Sequence, residues 1–255
     1  MEYNAPKKVD IKHRDGVRVQ NGQVIFVREY EPADEAAVQR IFIEGLMEMV
    51  PDTAFRGLRH HPESLLLYAA MTVLCFALTM CWWVIGLLSA IVLGMRYFYS
   101  RRVIQGYLTQ AMNTDMGDIE GFYMKSPGSR LWVAVLDDHV VGVVAAVGQQ
   151  GSGGAVELQR MSVDKRYRQC GIGVALGRKV LEFAVVHGYS SVVLGTTAYS
   201  PAAHKLYQRV GFCCVGVTNG YVTPGAKQSL LEQIFYRVSH HHYKLNIQNS
   251  KRADD

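Results

Sequence analysis

No CxxC pair occurs in the chain, and its five cysteines, Cys75, Cys81, Cys170, Cys213 and Cys214, are odd in number. That excludes a disulfide framework and the usual zinc-ribbon spacings, so the thiols are expected to be reduced and to face a cytosolic compartment. Lys and Arg gather into no polybasic run. The formal charge of +5 is spread along the sequence, which gives no footprint for nucleic acid. The first twenty residues, MEYNAPKKVDIKHRDGVRVQ, hold no apolar core region and exclude a cleavable secretory signal there. Residues 1–22 are expected to be flexible.

The longest absence is of charge. From Ser64 to Met95 there is no Asp, Glu, Lys, Arg or His, a stretch longer than the roughly 20 apolar residues that cross a bilayer. It reads either as one tilted span or as a hairpin turning around Met80 to Gly86. Arg56 and Arg59 precede it, and Arg96, Arg101 and Arg102 follow it, so the positive-inside rule puts both ends on one side and favours the hairpin.

What is present is enough apolar material, 49% of residues, to build one sizeable core around that insert. Period-two alternation predicts strands at 23–30, 130–137, 139–148, 155–163, 190–196, 211–217 and 233–239. Helical spacing predicts helices from Pro32 to Met49 and over 97–112, 116–125, 174–187 and 201–210. The acidic pair Asp137-Asp138 reads as a hairpin turn, and GSGG at 151–154 as a loop. The fold class is α/β, one sheet flanked by helices.

The motif that carries chemistry is Arg168-Gln169-Cys170-Gly171-Ile172-Gly173, between a strand and a helix. Glycines there let backbone approach a ligand, and the free N–H groups of a helix start bind phosphate oxygens. About 35 residues on, AHKLYQRVGF at 203–212 follows the next strand. This ordered pair resembles the GNAT acetyltransferase superfamily over 23–239, with the insert at 64–95 and a polar tail at 240–255. Longer phrases, among them TAFRGLRHHP, RYFYSRRVI and WVAVLDDHVVGVVAA, resemble the aspartate-acetylating members of its membrane-bound, camello-like group.

The resemblance implies a mostly antiparallel sheet with a membrane-embedded helical hairpin, and acetyl-CoA as acetyl donor. Its pyrophosphate would lie on Arg168, Gln169, Cys170, Gly171, Ile172 and Gly173, and its pantetheine arm along the backbone of Met161, Ser162 and Val163. Tyr207 would donate a proton to the departing thiolate, and Glu157, on the bordering strand, is the candidate base. The implied acceptor is the α-amine of L-aspartate, whose carboxylates would be met by Arg160, Arg56 or Arg59. Cysteine S-conjugates or protein (histone) lysines are the alternative acceptors, and an inactive membrane scaffold is the alternative class. The implied location is the endoplasmic reticulum membrane with the catalytic domain facing the cytosol, with a mitochondrial pool also open.

Two features stand apart from that pattern. The family usually has Gly-Lys where this chain has Gln169-Cys170, which removes a flexible residue and a cation from the phosphate loop. The run His240-His241-His242 is not expected to bind metal, because consecutive histidines share no face of a strand or helix and no Cys or carboxylate stands nearby. A solvated tail is the expected role.

Overall fold

The computed structural model describes residues 24–60, 62–149, 154–219, 235–236 and 238–247, with the backbone alone at 17–18. The side chains of Arg59, His60, Pro62 and Asn219, the expected GSGG loop up to 153, and most of the expected flexible N-terminus lie outside the described residues.

The chain opens with β1 (Val17–Arg18) and β2 (Val24–Glu29). A capping arrangement follows: the Asp34 carboxylate accepts from the Glu31 backbone N–H at 2.9 Å and takes both arms of Arg28 at 2.6 and 2.8 Å. This fixes the start of α1 (Glu35–Met47). α1 buries Val38, Ile41 and Phe42 at helical spacing. Its Gly45 is required by close approach to the sheet, since a Cβ there would stand 2.4 Å from Ser162 Oγ. Short turns, α2 (Met49–Pro51), a π-helical turn (Asp52–Arg56) and α3 (Gly57–His60), lead into the insert.

The insert is a hairpin of two helices, α4 (Pro62–Thr79) and α5 (Trp82–Met112), turning at Met80 and Cys81. The turn falls at the N-terminal edge of the expected one. α5 is continuous through Met95, so the insert and the expected helix over 97–112 are one element. The apolar side chains of the hairpin point outward: Trp83 is 87% and Leu78 77% exposed. α5 is long and apolar enough to cross a membrane. The hairpin is pinned at its base by Arg96, which is buried and donates to the Ala54 carbonyl at 2.8 Å and to the Tyr68 hydroxyl at 3.4 Å.

After α5 the expected helix over 116–125 is confined to a π-helical turn (Glu120–Met124). β3 (Ser129–Leu136) and β4 (His139–Gly148) form a hairpin in which Asp137 and Asp138 both have positive φ, the backbone of a tight two-residue turn. β5 (Ala155–Val163), α6 (Ile172–Val186), β6 (Ser191–Thr197), α7 (Pro201–Val210) and β7 (Cys213–Asn219) follow.

The last strand, β8 (Ser239–Asn246), corrects the sequence reading. The strand expected over 233–239 lies partly outside the described residues; of its described members, Phe235, Tyr236 and Val238 are not in a strand, and Ser239 opens β8. Instead the supposed tail pairs on both sides, with β6 and with β7. Its alternation is there to be read: Tyr243, Leu245 and Ile247 pack on the core while Lys244 and Asn246 are exposed.

The sheet runs β1-β2-β3-β4-β5-β6-β8-β7 and is antiparallel except where β5 meets β6. One face packs α6 and α7 over Trp132, Val144, Leu158, Val192 and Tyr243; the other packs α1 and α5 over Leu131, Val133, Val143 and Ala145.

Candidate active site

The one parallel contact in the sheet is also its opening. β5 and β6 pair only at Ala155–Ser191, Val156–Val192 and Glu157–Val193, and beyond Glu157 they diverge. The rest of β5 therefore turns free backbone groups toward the gap. The gap widens into a cleft of about 1790 Å³ lined by both diverging strands, α1, the lower part of α5, the loop before α6, α7 and β8. A bulge bends β5 where Gln159 to Ser162 oppose Val143 to Ala145, with Arg160 at φ 52.

The donor half of the cleft is built from contiguous sequence. β5 ends at Asp164, a buried carboxylate that accepts from the Arg166 backbone N–H at 3.0 Å and from its guanidinium at 2.7 Å. Arg166 and, next to it, Arg40 hold its pKa down to about 2. The turn then passes through Gln169 (φ 66) and Gly171 (φ 85) and starts α6. No atom lies within 4 Å of where a Gly171 Cβ would stand, whereas a Gly173 Cβ would meet Leu206 at 2.9 Å. The first glycine leaves open a cradle that a side chain would fill, and the second lets α7 approach α6. That pairing of open space with a helix N-terminus fits an anionic group. Gln169, Gly171, Ile172 and Gly173 line the cleft, as do Met161, Ser162 and Val163, while Cys170 packs partly against the core.

Arg168 lines the same cleft, but its Nη1 is 2.6 Å from Glu48 at the end of α1 and its Nε donates to the Val163 carbonyl at 3.0 Å. Glu48 was not signalled by any motif, because the ion pair joins segments far apart in sequence.

Tyr207 lies on α7 at the cleft wall, packed against Phe212 and Tyr243 with ring centroids 6.0 and 5.9 Å away. Burial pushes its phenol up to about 12, so it stays protonated through the neutral range. One turn earlier, His204 Nε2 donates to the Thr197 carbonyl at 3.0 Å, leaving Nδ1 to accept from the Tyr243 hydroxyl at 2.8 Å. That hydrogen-bonded pair fixes the ring beside Tyr207.

The acceptor half is assembled from distant segments. Glu157 faces the cleft and accepts from Gln149 Nε2 at 3.1 Å. Arg160 also lines the cleft, but its fork is closed on Asp115 at 2.8 and 2.9 Å, with a further bond to the Tyr107 hydroxyl and the rings of Phe42 and Tyr107 each 5.3 Å from its guanidinium carbon. Asp115 accepts in addition from the Tyr123 hydroxyl. Those donors hold the Asp115 carboxyl below its usual range against desolvation, which pushes the other way. Arg160 is thus bound inside the protein rather than presented as an open fork. Arg56 lines the cleft in an exposed pair with Asp52 at 3.3 Å. The side chain of Arg59 is outside the described residues.

The histidine run divides between two environments. His240 and His242 line the cleft, with His242 Nε2 2.9 Å from Thr218 Oγ1. His241 packs its ring 4.8 Å from that of His204. Burial, with His242 and His241 adding to it, pushes His240 down to about 4, so it is neutral at physiological pH.

Comparison with known proteins agrees with this geometry. A sequence profile of the acetyltransferase (GNAT) family matches residues 98–212. The chain is 54% identical over 226 residues to the N-acetylaspartate synthetase of Homo sapiens, covering 89% of this chain and 74% of that protein. It is 47% identical over 230 residues to the N-acetylaspartate synthetase of Danio rerio, covering 90% and 81%. A more distant relative, N-acetyltransferase family 8 member 7 of Mus musculus, is 34% identical over 75% of this chain and 86% of its own. Among solved structures, an N-acetyltransferase from Staphylococcus aureus Mu50 superposes with a TM-score of 0.50 at 15% identity, covering 87% of this chain and 98% of that one; that likeness speaks to the fold.

Proposed function

The chain belongs to the acetyltransferase (GNAT) family and is an acetyl-CoA-dependent N-acetyltransferase; we propose that it is membrane-bound and that its acceptor is the α-amine of L-aspartate. The observation that carries the acceptor is the 54% identity to N-acetylaspartate synthetase across 89% of the chain.

Acetyl-CoA supplies a thioester carbonyl. Around it the chain's residues take these roles. Backbone of the 169–173 turn and the α6 N-terminus hold the pyrophosphate, and the free edge of β5 at Met161 to Val163 holds the pantetheine arm as an added strand would. Glu157, directly or through a water, takes a proton from the acceptor ammonium. The amine lone pair forms the new C–N bond as the C–S bond breaks. The Tyr207 hydroxyl, protonated because it is buried, donates toward the leaving sulfur and stabilises its negative charge. The nitrogen, which still carries two hydrogens after the attack, releases one to solvent as the C–S bond breaks and becomes the neutral amide. Tyr207 regains its proton from solvent and Glu157 loses its own, so one proton in all is released and the site returns to its starting state.

The membrane reading rests on the hairpin. Its first helix, 18 residues long, extends about 27 Å at the usual rise per residue, close to the thickness of a bilayer's hydrocarbon core. Its outward side chains are the ones a soluble protein would bury. Both ends return to the catalytic domain, as a cytosol-facing endoplasmic reticulum enzyme requires.

The test is CoA release by detergent-solubilised protein with acetyl-CoA and, in turn, L-aspartate, L-glutamate, S-benzyl-cysteine and a lysine peptide. Preference for L-aspartate is expected. Turnover with another amine keeps the chemistry and discards the acceptor.

A further inference from the structure

We propose that Lys244 and His242, on β8, bind the side-chain carboxylate of the acceptor. The assignment deepens the dicarboxylate reading above and rests on it.

What the acceptor half can offer a substrate depends on which of its charges are already paired. Three of the arginines that line the cleft already face carboxylates: Arg168 faces Glu48, Arg160 faces Asp115 and, in an exposed pair, Arg56 faces Asp52. On the strands that floor this half, two charged groups among the described residues remain outside those pairs, Glu157 and Lys244. Both line the cleft. Among the described residues no carboxylate lies within ion-pair distance of Lys244, and its side chain is exposed.

Register fixes their relation. Glu157 is paired with Val193, and Val193 with Lys244. Residues directly opposite on neighbouring strands point to the same side of a sheet, so Glu157 and Lys244 project from one face. Their Cα atoms are two strand spacings apart, roughly 9–10 Å. One negative and one positive group facing each other over that gap complement the ammonium and the distal carboxylate of a small amino acid.

His242 stands two residues along β8, opposite Gly195, on the side where β5 and β6 have diverged. Gly195 sets no side chain beside it on β6. With Nε2 engaged by the Thr218 hydroxyl across 2.9 Å, Nδ1 is the ring nitrogen left to donate its hydrogen to the same carboxylate. Arg160, which sequence alone favours for this task, instead holds Asp115 and the bulge of β5 in place.

Steady-state kinetics on the full-length solubilised protein test this, with L-aspartate and L-asparagine as rival acceptors. Lys244→Met is expected to raise KM for L-aspartate about tenfold, the loss of one charge-assisted contact, while leaving KM for acetyl-CoA within about twofold. Lys244→Arg should recover most of that loss, and His242→Gln should cost about threefold. L-asparagine kinetics should move little in Lys244→Met. Calorimetric acetyl-CoA binding by each variant reports that the fold is intact. Unchanged L-aspartate KM in Lys244→Met, or equal loss for both amino acids, overturns the assignment while the acceptor reading stands. If the unaltered protein does not turn over L-aspartate, the acceptor reading fails, and this assignment with it.

Discussion

The two halves of the cleft are made in opposite ways. The donor half is one unbroken piece, β5, the Asp164 turn and α6, and on the proposed reading backbone is what it offers its ligand. The acceptor half draws on α1, the lower part of α5, the β5 bulge and β8, and side-chain ion pairs hold it together. A backbone site tolerates most side-chain changes and fails at its glycines. A side-chain site fails wherever one buried partner is removed.

Asp115→Asn is the hardest blow to the acceptor half. It strands the largely buried Arg160 guanidinium without its carboxylate, and breaking a buried pair costs up to about 3–5 kcal/mol. Thermal unfolding in detergent should show the loss directly, and activity should fall with it. Stability equal to that of the unaltered protein would mean the acceptor half is not held as described.

Between the halves, Tyr207→Phe keeps the ring packing and removes the hydroxyl. A drop in kcat of about a hundredfold is expected, with both KM values within about threefold. A lowered kcat for acetyl-CoA but not for a thioester with a better leaving group would sharpen the role of Tyr207 at sulfur.

On the donor side, Gly171→Ala places a Cβ on a left-handed residue and in the open cradle. It should cost about 1–2 kcal/mol of local strain and raise KM for acetyl-CoA without moving that for the acceptor. The smallest effect is expected from Gln169→Gly. Gln169 already sits at φ 66, so glycine relieves strain and should raise stability by up to about 1 kcal/mol.

Acid separates the halves in another way. Asp164 has its pKa lowered to about 2, so its stabilising contribution is complete above the ordinary carboxylate range and disappears as pH falls from about 4 toward 2. His240 is lowered to about 4, so its burial as a neutral ring becomes a cost earlier, as pH falls from about 6.5 toward 4. Unfolding temperature followed from pH 7 to pH 2 should fall in both windows. Asp164→Asn should flatten only the lower window, and His240→Gln only the upper.

The same contrast decides what the sequence could tell. Strand, Gly-rich turn and helix from 155 to 186 are local, and each residue's role there follows from its neighbours. The placement of Tyr207 and Glu157 at the cleft was also within reach, since both sit on regular elements beside that turn. The partners of Arg160 and Arg168 were not. Asp115 and Glu48 lie in unrelated segments, and only the packing of α1 and α5 on the sheet brings them in. β8 was missed for a different reason: three consecutive histidines hid an ordinary alternation whose apolar half begins at Tyr243. The insert was legible as an apolar stretch and its turn to within the window from Met80 to Gly86; only the exact position was not, because Met80 and Cys81 carry no turn signature.

The hairpin lies between strands that belong side by side. β2 must wait for β3, its partner at Phe26–Val135 through Glu29–Trp132, and the whole of α4 and α5 is synthesised between them. As the chain leaves the ribosome, β2 and α1 therefore have no sheet to join until the hairpin has been made and disposed of, whereas β3 and β4 can pair at once. Assembly of the domain is expected to begin at the β3–β4 turn and to add its N-terminal strand late, so the slowest step of folding is the closure of the longest loop.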